Sequence, residues 1–166
     1  MRFSCHICPI TKRIFWILGA VPDEMQRLSW RWDTAVDGSE EICKAASEYL
    51  GTSVRCMLFQ ELNEENIYNG IWACASILHL PKQELPDVIC KMRDALKKDG
   101  VVYTSFKYGD FEGERNGRYF TYFTEESFRE LLSQIPGLQT EKLWITGDVR
   151  EGRGDECWLN VILRRC

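Results

Sequence analysis

From Asp33 onward, short apolar runs alternate with stretches whose apolar residues recur every three or four positions, the pattern of strands followed by helices. Thr34-Ala35-Val36 is a short apolar run ending at Asp37-Gly38-Ser39, a turn with a helix-capping residue; Glu40 and Glu41 then suit the positive end of a helix. Ile42, Ala45, Ala46, Tyr49 and Leu50 recur at helical spacing, and Gly51 stops that helix. Residues 54–59 predict the next strand, and residues 68–78 form another apolar stretch. After Pro81 a helix is expected over residues 83–98, with Leu85, Val88, Ile89, Met92, Ala95 and Leu96 inward. Lys97 and Lys98 complement its negative end, and Gly100 ends it. Residues 101–106 read as a buried strand, and the polar, aromatic, glycine-bearing residues 111–122 as a long loop. Thr124-Glu125-Glu126 opens a helix with Phe128, Leu131, Leu132 and Ile135 inward. Residues 138–148 and 157–164 read as two closing strands joined by the turn 150–155.

Alternating strands and helices imply an α/β protein with a parallel sheet covered on both faces. The short last connection requires an antiparallel pair. The expectation is therefore a mostly parallel sheet, helices on both faces, and an antiparallel C-terminal strand pair.

Composition narrows the function classes. The chain has 166 residues, 45% apolar and 28% charged, which suits one globular domain. A net charge of −4 argues against a nucleic-acid partner. Arg2, Lys12 and Arg13 interrupt the apolar N-terminal stretch, so no membrane span is expected there, and the run 14–20 is short for a signal-peptide core. The expected location is cytoplasmic. The eight cysteines are scattered, several inside apolar runs, and read as small hydrophobes. Cys5-His6-Ile7-Cys8 is the only C-x-x-C; with no second pair and only His79 besides, no metal site is expected.

Ala35-Val36-Asp37-Gly38-Ser39, the run from Ile71 through Cys74 and His79 to Pro81, Ala95-Leu96-Lys97-Lys98-Asp99-Gly100-Val101 and the terminal Trp158-Leu159-Asn160-Val161-Ile162-Leu163 together resemble the class I S-adenosylmethionine-dependent methyltransferases. They resemble in particular the small bacterial methyltransferase-domain proteins. The resemblance covers roughly the last four fifths of the chain and implies a Rossmann-like fold, with a methyltransferase-like domain over 34–166. It implies S-adenosylmethionine as cofactor and a small-molecule methyl acceptor. Asp37, followed by Gly38 and Ser39, matches the acid that accepts both ribose hydroxyls; a carboxylate offers two acceptors for two donors. The alternative is an ordinary helix-capping turn. Gln60, Glu61 and Leu62 match the adenine contact, with Glu61 as the acid and Glu64 and Glu65 as competitors. Ala73, Cys74 and Ala75, with Ser76, match the strand end along the methionine moiety. Asn69 stands where the family often has Asp, which removes a charge. His79, Tyr108, Arg118 and Tyr119 are candidates for the acceptor pocket, with His79 either a base or a helix cap. No catalytic residue is singled out, because the cofactor carries its own leaving group and a base is needed only for a protonated acceptor.

The family's first motif, a strand ending in an acid and then Gly-x-Gly-x-Gly, has no match in Gly19-Ala20-Val21-Pro22-Asp23-Glu24-Met25. Residues 1–33 thus form an atypical segment in place of the first strand and glycine loop. Back-translation offers a reason. Codons for Phe15-Trp16-Ile17-Leu18, read two bases later, force Leu then Asp; the following triplets permit Gly-Cys-Gly-Ser-Gly-Arg-Asp. Further on, the shifted frame forces two apolar residues and a glycine and permits a third apolar residue. An out-of-frame N-terminal region, with the frame restored near Thr34, stands beside a divergent native one. Either way cofactor binding by this chain is expected to be impaired. Two further readings stand beside the enzyme: an inactive binding module of the same fold, and a nicotinamide-dependent Rossmann oxidoreductase.

Overall fold

In the computed structural model, which describes residues 14–17, 34–150 and 156–166, the elements are β1 (Ile14–Ile17), β2 (Thr34–Asp37), α1 (Glu40–Leu50), β3 (Val54–Cys56), β4 (Tyr68–Ala73), α2 (Leu85–Ala95), β5 (Leu96–Lys107), β6 (Glu112–Arg115), β7 (Arg118–Thr121), α3 (Glu125–Ser133), β8 (Leu138–Gly147) and β9 (Cys157–Arg165). The Cys5–Cys8 pair and residues 19–32 lie outside the described residues.

Seven strands pair in the order β3-β2-β1-β4-β5-β9-β8. β1 is parallel to β2 and β4, β2 to β3, and β4 to β5. β9 runs antiparallel to both β5 and β8. The expectation of a mostly parallel sheet gives way to a mixed one, because β9 inserts between β5 and β8 and reverses both pairings on that side.

Alternation along the strands sends residues to two faces. Val36, Ile71, Ala73, Val102, Phe106, Leu159, Val161 and Leu163 face α2 and α3. On that side Phe106, Phe123 and Phe128 pack edge-on and tilted, with centroids 4.9–5.6 Å apart. Ala35 and Val54 face α1 and enclose Cys43, with Ala46, Leu50 and Trp72 at the margin.

The helices start where the sequence places them. Ser39 Oγ accepts the Ile42 N–H to cap α1, and Gly51 ends it with φ 64°. Thr124 and Ser127 cap α3 reciprocally. Four details differ from expectation. The helix expected over 83–98 is α2, Leu85–Ala95, and Lys97, Lys98 and Gly100 belong to β5. Leu96 is fully buried, turns extended (ψ 148°) and pairs with Tyr68, so tertiary pairing ends the helix before the lysines. The register then slips: the next pair is Gly70 with Val101, and Asp99 takes φ 63° in the bulge. Gly100 fits there because a Cβ would lie 2.9 Å from the Lys97 carbonyl.

The second difference is residues 111–122, which form a hairpin, β6 with β7, rather than a loop. Its turn is Asn116-Gly117, with φ 52° and 73°, the left-handed pair that a two-residue hairpin turn demands. The third is α1, which packs through Cys43, Ala46 and Leu50 and leaves Ile42 and Tyr49 45% and 60% exposed. β3 is also short; beyond Cys56 the chain donates once more, from Met57 N–H to the Asp37 carbonyl, then enters a 3-10 turn over Phe59–Glu61.

Candidate functional site

The parallel strands β2, β4 and β5 end on the same edge of the sheet, where open α/β sheets hold ligands. β2 ends at Asp37. Its Oδ1 accepts the Ser39 N–H at 2.8 Å, which fixes the carboxylate in the turn and leaves its other oxygen's acceptor capacity. Gly38 lies against Leu58: a Cβ at Gly38 would stand 3.1 Å from Leu58 Cδ2. Leu58 itself is 53% exposed beside the turn.

The segment after β3 makes contacts of its own. Glu61 Oε2 accepts the Leu58 N–H at 2.7 Å, capping its own 3-10 turn. Gln60 Nε2 donates to Glu84 at 2.8 Å, and the Gln60 carbonyl accepts from Lys91 Nζ. The Leu62 side chain is buried, and its N–H donates to the Phe59 carbonyl. Of the competitors, Glu64 pairs with Arg55 at 2.8 Å.

At the end of β4 the groups converge. Ala73 is fully buried. Ala75 takes φ 47°, a left-handed conformation that costs a non-glycine residue energy. Its N–H donates to Ser105 Oγ at 2.9 Å, which holds that conformation. Ser105 Oγ also contacts Cys74 Sγ at 3.7 Å. Burial pushes the Cys74 thiol above its ordinary value. Ser76 Oγ is buried and has no hydrogen-bond partner among the described residues. Strained backbone and, among the described residues, an unpaired buried hydroxyl thus stand side by side at this strand end.

His79 follows in a 3-10 turn, Ile77–His79. Its Nδ1 lies 2.7 Å from the Tyr119 carbonyl, which can only accept. Nδ1 therefore carries the proton, and a neutral ring keeps its lone pair on Nε2. Thr121 Oγ1 donates to the Leu80 carbonyl at 2.7 Å, so the hairpin is clamped onto this turn twice. Tyr119 donates its hydroxyl to Glu112 at 3.0 Å and lines an open cleft of about 670 Å³ with Pro81, Lys82, Gln83 and Glu112. Arg118 is exposed at the hairpin turn, and Tyr108, at the end of β5, is 37% exposed.

Sequence reading passed over two groups at this edge, Ser105 and Lys107. Lys107 is buried, paired with Glu156, and lies 6.0 Å and 5.7 Å from the ring centroids of Tyr122 and Trp158. Strand alternation carries the signal for both: Tyr103, Ser105 and Lys107 share one face of β5. Among the described residues no cluster of His, Cys, Asp or Glu is arranged to hold a metal ion. None of the described helices is long and apolar enough to cross a membrane.

No protein-family model matches the chain, and no curated protein matches it by sequence. Solved structures do match by fold. A 1,6-didemethyltoxoflavin-N1-methyltransferase of Burkholderia thailandensis, with bound 1,6-didemethyltoxoflavin and S-adenosylhomocysteine, is 19% identical with TM-score 0.71, over 92% of this chain and 70% of that one. A SAM-dependent methyltransferase of Methanosarcina mazei is 13% identical with TM-score 0.76, over 92% of both chains. The [4+2]-cyclase SpnF is 12% identical with TM-score 0.66, over 93% of this chain and 74% of that one. The chain therefore has the fold of the class I S-adenosylmethionine-dependent methyltransferases.

Proposed function

We propose that this chain is built as an S-adenosylmethionine-dependent methyltransferase acting on a small-molecule acceptor, with Asp37 holding the cofactor ribose. The observation that carries the reading is the Asp37 turn. A carboxylate is fixed at the end of β2, on the sheet edge that also presents the strained Ala75 and the unpaired Ser76 hydroxyl. The fold shared with methyltransferases, one of them crystallised with S-adenosylhomocysteine, supports it.

The residues fit the two ends of such a ligand unequally. Asp37 and Gly38 suit the ribose, and the segment Ala73–Ser76 has the buried polar vacancy that a methionine moiety would meet. Glu61 Oε2 accepts the Leu58 N–H, and its other oxygen keeps acceptor capacity for the adenine amino group, beside Leu58 and the backbone. When bound, S-adenosylmethionine supplies a methyl group on a sulfonium, already paired with a good leaving group. The chain's own residues then orient and exclude water. His79, with Nδ1 fixed by Tyr119, offers Nε2 as proton acceptor for a protonated nucleophile. Tyr108, Arg118 and Tyr119 border the acceptor side. Residues 19–32 supply one glycine and Pro22 where the family has a glycine loop, so binding of the methionine end is weak. We assign a cytoplasmic location, with no nucleic-acid or membrane partner.

Thermal shift at about 10 mM ligand tests the reading. S-adenosylhomocysteine with a dissociation constant near 1 mM adds roughly 1.4 kcal/mol, a rise of about 3–6 °C. NAD is expected to leave the midpoint unchanged. A shift with NAD alone, or with no adenosyl ligand, contradicts the proposal.

A further inference from the structure

Two thiols meet behind the Asp37 turn. Cys43 sits in the first turn of α1, 6% exposed, with Sγ 3.3 Å from the Asp37 carbonyl oxygen and 3.5 Å from that of Arg55. Arg55 immediately precedes Cys56. Cys56 stands opposite Asp37 in the β2–β3 ladder, and its Sγ lies 3.9 Å from the Gly38 carbonyl oxygen. Val54, two residues earlier on the same strand face, packs directly against Cys43. Both sulfurs thus lie between α1 and β3, over the carbonyls of consecutive residues 37 and 38. They differ in access: Cys43 is buried and Cys56 is exposed.

We propose that Cys43 and Cys56 form a disulfide when the protein meets a low-molecular-weight disulfide such as glutathione disulfide. The exposed Cys56 thiolate attacks one sulfur of the oxidant, releasing one glutathione thiolate and leaving a mixed disulfide. Cys43 gives its proton to solvent and attacks the Cys56 sulfur, releasing the second glutathione. Two protein thiols are oxidised by two electrons in all, and one glutathione disulfide is reduced to two thiols. The new bond ties the first turn of α1 to the end of β3 across the Asp37-Gly38-Ser39 turn. Its formation does not depend on reading Asp37 as a cofactor contact.

Two properties follow. Burial, and the neighbouring Cys56, push the Cys43 thiol above its ordinary value, so the closing step quickens as pH rises from about 7 to 9.5. A bond closing a loop of this size raises the melting midpoint by roughly 5–10 °C.

The test uses the full chain with excess glutathione disulfide, followed by alkylation of free thiols and tryptic digestion. Cleavage after Lys44 and Arg55 separates the two cysteines, so only a disulfide holds their peptides together. The expected result is that linked pair, with Cys56→Ser abolishing both the link and the melting shift. Glutathione retained on Cys56 with Cys43 alkylated overturns the proposal. So does an unmodified Cys56, or a Cys43→Ser variant whose oxidation shifts the midpoint as much as that of the original chain.

Discussion

The two faces of the sheet are built to different standards. On the α2–α3 face Phe106, Phe123, Phe128, Ile77, Leu85, Ile89 and Met92 are all fully buried. On the α1 face the buried cluster is Ala35, Cys43 and Val54, and large side chains stand half-exposed around it. Trp72 stacks on Tyr103 at 4.2 Å, and Tyr103 reaches Trp144 at 6.1 Å. Tyr103 donates to Asn160 at 2.8 Å, and burial pushes its hydroxyl up to about 12. Trp72 Nε1 is buried with no partner among the described residues. Among the described residues, one face is closely packed, while the other holds a small cluster, stacked aromatics and a few hydrogen bonds.

Core truncation should break the comparison most visibly. Phe128→Ala removes a fully buried ring from the aromatic trio and is expected to cost about 3–5 kcal/mol. Trp72→Ala removes a half-buried ring and a stacking contact, and should cost about 2 kcal/mol. Urea unfolding of both variants checks this; equal losses would mean that the α1 face is as well packed as the other.

Electrostatics at the edge strand gives a smaller, pH-dependent effect. The Arg150 guanidinium holds the Asp148 carboxyl well below the usual carboxylate range, and Trp158 Nε1 donates to it at 3.1 Å. A depressed carboxyl contributes stability above its unfolded value, near pH 4, and loses it as pH falls through the folded one. Asp148→Asn should therefore cost about 1 kcal/mol at pH 7, and the gap to the original chain should close as the pH falls below about 4. A gap constant from pH 7 to 2 in thermal melts would show that charge plays no part.

The smallest effect belongs to the exposed side of α1. Tyr49→Ser, at 60% exposure, should change stability by less than about 0.5 kcal/mol. A loss above 1 kcal/mol would place something against that face.

Much of this was legible in the residues. The Asp37-Gly38-Ser39 turn, the cap at Thr124 and the reversed closing strands follow from local chemistry, which short-range patterns record. The end of α2 was not legible, because Lys97-Lys98-Asp99-Gly100 is a good helix stop in isolation, and only the pairing of Leu96 with Tyr68 moves it. The hairpin at Asn116-Gly117 had a clear signal that the surrounding glycines and charges obscured. At the site, Asp37 and the Ala73–Ser76 segment were readable as candidates. The turning of Glu61 onto Leu58 N–H was not, because a sequence shows an acid's position and not its hydrogen-bond partner. Ser105 matters through its contacts with Ala75 and Cys74, about thirty residues away in sequence and one hydrogen bond away in space.

The most direct test of the methyltransferase reading is calorimetric titration of S-adenosylmethionine into this chain and into a version whose residues 17–33 are rewritten in the shifted frame. The rewritten chain regains a first-strand acid and a glycine loop. Two hydrogen bonds to charged groups, at about 1.5–3 kcal/mol each, correspond to roughly 10²- to 10⁴-fold in affinity. The rewritten chain should bind in the micromolar range, and this chain at millimolar or weaker. Equal micromolar binding by both would contradict the account, showing that residues 19–32 do the loop's work; no binding by either would remove Asp37 from the role proposed for it.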